Sequence, residues 1–135
     1  MTIARYALAA IAGLLAQFAI LILWNPSIGE FSGGAFVCGQ PFVWLALIAL
    51  PTGLLGEQYL LDAPRMSRRW TWPLMGLIHF GATFLLCNAS YALFALAVED
   101  LSHWSDMLFA MLPFAALNTV SGLVFWAILS ATRPK

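Results

Sequence analysis

Glu57 and His79 are the residues of this chain whose types and placement best suit chemistry. Glu57 falls in the apolar run "LPTGLLGEQYLL" and His79 in "PLMGLIHFGATFLL". A carboxylate and an imidazole at one depth in neighbouring helices can form an ion pair or pass a proton, and ionisable residues inside a membrane are functional candidates by default. Counting from the ends of the runs puts Glu57 about one turn, roughly 7 Å, from the inner end of its segment. His79 lies about six residues into the next run, which starts from the same side, so the two match in depth. Gln58 stands beside them at that level. A structural reading accounts for the same residues. Glu57 can snorkel to water or meet Arg65 or Arg68, and His79 can bond to a carbonyl or a polar neighbour. Both readings stay open at the level of sequence.

A second set is neutral. Gln17, Thr52, Asn88, and Asn118 with Thr119 fall near the middles of successive apolar runs, so every run brings a polar group to about one level. Such groups turn inward, because lipid offers no hydrogen-bond partner. They serve either as interhelical glue, worth about 0.6 kcal/mol per bond, or as the lining of a solute path.

Other chemistry is weaker. The segment "EDLSHWSD" sets Glu99, Asp100, His103 and Asp106 at spacings of three and four, a possible metal-ligand set if helical and otherwise a solvated acidic cap. His79 and His103 cannot hold one haem within a single chain, since 19 residues from His79 to Val98 span roughly 28 Å of helix. A haem on His79 would need a second chain, and no cofactor is predicted. Cys38 and Cys87 form no CxxC pair and read as unpaired thiols. There is no Ser–His–Asp arrangement and no glycine-rich phosphate loop.

These residues must be positioned by helices. Of 135 residues, 62% are hydrophobic and 9% charged, too few charges to cover a soluble domain. The apolar residues fall in four blocks, Tyr6–Trp24, Phe42–Leu61, Leu74–Val98 and Met107–Ala131. Each has about 19 to 25 residues, enough to cross about 30 Å of hydrocarbon as a helix. No dyad alternation suggests a barrel. The expected fold is all-α: one membrane domain over residues 1–135, an antiparallel bundle of four transmembrane helices. A glycine-rich outer loop covers 25–41 and a basic inner loop 62–73. Pro51 and Pro113 are expected to kink helices two and four. Trp24, Trp44 and Trp104 read as outer interface anchors, and Tyr59, Trp70, Trp72 and Trp126 as inner ones.

Charge gives orientation. Arg5, Arg65, Arg68, Arg69, Arg133 and Lys135 all fall on one side, while the other two loops carry only acids. The positive-inside rule then puts both termini in the cytoplasm, with Arg65, Arg68 and Arg69 against lipid head groups. Short loops and a strict charge bias suit a bacterial inner membrane. No charge run suggests a nucleic-acid partner. Slight extramembrane mass leaves little room for a conventional active site. The expected function is a non-catalytic accessory or interaction subunit, with the bilayer and another membrane protein or a second copy as partners. The alternative is an oligomeric channel or proton-coupled small-solute transporter working through Glu57 and His79.

Overall fold

The computed structural model describes residues 2–24, 41–61, 68–97, 102, 105–106, 109 and 111–133. Arg65, Glu99, Asp100, His103, Cys38 and Trp104, with nearly all of the glycine-rich loop and the first half of the basic loop, lie outside the described residues. So do the side chains of Trp24, Arg68 and Arg69.

The described residues are helical without strands, and four helices are long and apolar enough to cross a membrane. They are α1 (Thr2–Trp24), α2 (residues 41–61), α3 (Arg68–Ala97) and α4 (Leu112–Ala131). Long apolar runs of helix-tolerant Leu, Ala and Ile account for them, since a backbone in lipid must satisfy its hydrogen bonds internally.

α4 is the most deeply buried helix and packs extensively on α1 and on α3. Arg5 of α1 reaches the carbonyl of Leu129 near the end of α4, and Gln17 of α1 bonds Asn118 in its first half. Thr83 of α3 meets Asn118, and the imidazole of His79 lies against Gly122. The centre is a cluster that includes Ala9, Trp44, Ile48, Met75, Phe125 and Trp126.

The starts of α3 and α4 depart from the expected ones, and α2 is irregular within its span. α3 begins at Arg68 rather than Leu74, with Pro73 inside it. Aromatic and basic residues at 68–72 carry the helix past the apolar block, because backbone hydrogen bonding does not stop where lipophilicity does. α4 begins at Leu112 rather than Met107, so Pro113 sits in its first turn, where a missing N–H costs nothing. In α2, the first four residues are α-helical, Leu45–Ala49 form a π-helical turn, and Leu50–Gly56 are α-helical with Pro51 at their start. The N–H of Leu50 bonds the carbonyl of Leu45, five residues back. A wide turn just before a proline relieves the clash between its ring and the preceding carbonyls. A second π-helical stretch covers Glu57–Leu61.

Two tryptophans assigned to the interface are core residues instead. Trp44 is 1% exposed and Trp126 is fully buried, whereas Tyr59, Trp70 and Trp72 are exposed. Small residues open the space. A Cβ on Gly13 would meet the Trp44 ring at 2.9 Å, and one on Gly56 would meet the Trp126 ring at 2.8 Å. An indole with room to turn inward buries more apolar area than it can at the surface.

Candidate functional site

Glu57 ends up at the junction of three helices. Arg5 Nη2 donates to Glu57 Oε1 at 2.5 Å, and the Tyr6 hydroxyl donates to Oε2 at 2.8 Å. The same guanidinium nitrogen lies 2.7 Å from the carbonyl oxygen of Leu129. That carbonyl is among the last of α4, whose terminal carbonyls lack partners within the helix and carry the negative end of the dipole. Thr132 helps to cap the same end, its hydroxyl donating to the Ile128 carbonyl at 2.7 Å. One guanidinium therefore neutralises a carboxylate and caps a helix end, an arrangement for which its planar array of donors is suited. The pair is mostly buried, with the Arg5 side chain 12% and that of Glu57 18% exposed.

His79 lies elsewhere. It is fully buried and contacts two residues of α2. Trp44 Nε1 donates to His79 Nδ1 at 3.3 Å, and His79 Nε2 is 3.3 Å from Thr52 Oγ1. Thr52 in turn donates to the carbonyl of Ile48 at 2.6 Å. Thr52 and Glu57 are five residues apart, about 7.5 Å along a helix, so His79 is bound deeper than the carboxylate. The earlier start of α3 explains the difference. His79 is the twelfth residue of a helix that begins at Arg68, not the sixth of one that begins at Leu74. The structure thus does not bring Glu57 and His79 together. Gln58 is exposed on α2 and joins neither cluster.

The neutral set divides. Gln17 Nε2 donates to Asn118 Oδ1, and Asn118 Nδ2 donates to Thr83 Oγ1 at 3.1 Å, tying α1, α4 and α3 through buried groups. Thr52 belongs to the histidine cluster. The remaining two bond within their own helices. Asn88 Nδ2 donates to the Phe84 carbonyl at 2.8 Å, and Thr119 Oγ1 to the Ala115 carbonyl at 2.7 Å. Asp106, of the acidic segment, is exposed. Among the described residues no group of three or more His, Cys, Asp or Glu side chains could hold a metal ion.

Sequence reasoning missed Arg5, Tyr6, Trp44 and Thr83 as partners. For Arg5 a signal existed. It lies near the start of α1 at the depth expected of Glu57, yet in the sequence its charge reads only as a topology marker. Thr83 lies four residues from His79 on the same helix, so its face was legible once His79 was known to point inward. Trp44 offered no such signal, because a tryptophan near a helix end is ordinarily an interface anchor.

Comparison of the chain with known protein families, with curated proteins and with solved structures finds no match. Among the described residues the fold is all-helical, with four helices long and apolar enough to cross a membrane.

Proposed function

We propose that this protein is a non-catalytic membrane component, an accessory or interaction subunit of a larger complex, folded as an antiparallel four-helix bundle in a bacterial inner membrane. In this reading both termini are cytoplasmic. The confinement of every basic residue to one side supports that orientation, and the bond from Arg5 near the start of α1 to Leu129 near the end of α4 supports both termini lying on the same side. Arg65, Arg68 and Arg69 face lipid head groups.

The observation that carries the reading is the internal engagement of the two candidate proton carriers. Glu57 is neutralised by Arg5 and held by Tyr6, and both nitrogens of His79 have partners within the chain. A proton or ion route through this pair would have to break two separate sets of bonds and cross the depth between them. What the bundle offers outward is apolar: Leu8, Leu15, Leu54, Leu77 and Leu85 are all exposed and suited to lipid or to another helix.

Native mass spectrometry of the tagged protein, gently extracted from its own membrane, tests this directly. A stoichiometric foreign subunit is the expected result. A homo-oligomer without a partner would favour the channel or transporter instead, and that reading requires Glu57→Gln to abolish activity in liposomes while folding survives.

A further inference from the structure

His79 touches α2 at two points on either side of its first π-helical turn. Trp44 immediately precedes Leu45–Ala49, and Thr52 follows that turn by three residues, with Pro51 between. The donors and acceptors fix the state of the ring. An indole nitrogen carries a hydrogen and can only donate, so Nδ1 of His79 must offer a lone pair to Trp44. The neutral ring then carries its proton on Nε2, directed at Thr52 Oγ1. That oxygen has spent its own hydrogen on the Ile48 carbonyl, within the π turn, and is free to accept. The three bonds agree with one another in this single protonation state.

The backbone they span combines a π turn with Pro51. Pro51 contributes no N–H, and a π turn beside a proline is a common place for a helix to bend. The imidazole is packed against α4, its ring occupying the place where a Cβ on Gly122 would go. We propose that His79, held as the neutral Nε2–H tautomer, is a catch that closes α2 across its π turn, and that α2 hinges there when the catch is broken. A second proton on Nδ1 would face the Trp44 N–H, donor against donor, so the imidazolium cannot hold the catch. The groups that α2 and α4 set against the ring are the indole of Trp44, the hydroxyl of Thr52 and the backbone of Gly122, none of them charged. Glu57, the carboxylate of α2, is engaged by Arg5 and Tyr6. The inference stands independently of whether the chain is an accessory subunit.

Two measurements test it. Nitrogen-15 NMR of histidine-labelled wild-type protein in lipid nanodiscs, with His103→Asn used for assignment, reads the tautomer without disturbing the site. A bare Nδ1 and a protonated Nε2 on His79 are expected; a proton on Nδ1, alone or with one on Nε2, overturns the proposal. Thr52→Val then removes the acceptor while keeping the shape, and Trp44→Phe removes the donor. Spin labels at positions 43 and 55, both exposed, report distances across the turn in a Cys38→Ser, Cys87→Ser background. Either variant should broaden the narrow wild-type distance distribution or split it in two. A distribution as narrow as that of the wild type in both variants overturns the hinge, whatever the tautomer.

Discussion

The two polar regions of this bundle solve the same problem differently. Near the start of α1, a full charge is met by a full charge, and the same guanidinium nitrogen of Arg5 also bonds a carbonyl at a helix end. Deeper in, at His79 and at Gln17–Asn118–Thr83, the partners are neutral groups bonded to one another across helices. The difference follows from the medium. An ion pair near the end of a helix keeps some contact with water and head groups, whereas the cost of a charge is greatest at the bilayer centre. Charged residues are therefore tolerable in the first region and neutral amides and hydroxyls in the second. Removing a partner should be correspondingly costlier in the first.

The largest effect is expected at Arg5. Arg5→Leu strands Glu57 beside a single tyrosine hydroxyl and leaves the Leu129 carbonyl without its cation. Breaking one side of a mostly buried pair should destabilise by about 3 kcal/mol. Replacing both residues, Arg5→Leu with Glu57→Leu, should recover most of that loss, since a matched apolar pair leaves no charge uncompensated. Reversible unfolding in bicelles measures both. A double variant no more stable than Arg5→Leu would mean that the helix end, not the carboxylate, is what Arg5 stabilises.

Gly122 comes next, and it probes the deeper region by steric means. The ring of His79 lies where a Cβ would be, and its two hydrogen bonds keep it there. Gly122→Ala should cost about 2 kcal/mol through overpacking. Gly81 is the control. Among the described residues nothing lies within 4 Å of a Cβ placed there, so Gly81→Ala should leave stability unchanged or raise it, by at most about 1 kcal/mol. Equal losses at both positions would show that the cost does not come from contact with His79.

These comparisons also mark what the sequence disclosed. The four spans were legible because lipid demands long apolar helices, and the inward turn of Gln17, Thr52 and Asn118 was legible because polar groups have nowhere else to go. The pairing was not. It depended on where α3 begins, and hydropathy locates the apolar block rather than the helix, so counting from Leu74 put His79 level with Glu57 when counting from Arg68 does not. Trp44 and Trp126 were hidden for another reason. Whether a tryptophan faces lipid or the core is decided by small residues on other helices, Gly13 and Gly56 here, and nothing in its own neighbourhood reports them.

The smallest effects separate two asparagines that look alike in sequence. Asn118 bonds across helices to Gln17 and Thr83, so Asn118→Ala removes partners from two other buried groups and should cost about 1 kcal/mol. Asn88 bonds only the Phe84 carbonyl four residues back on its own helix. A carbonyl in mid-helix already accepts from the backbone, so losing a second donor leaves nothing unsatisfied. Asn88→Ala should therefore lie within about 0.5 kcal/mol of the wild type. Measured side by side in the same bicelles, the two variants ask whether depth or partnership sets the worth of a polar group. If Asn88→Ala costs as much as Asn118→Ala, depth alone matters, and hydrogen bonding across helices is not what stabilises the centre of this bundle.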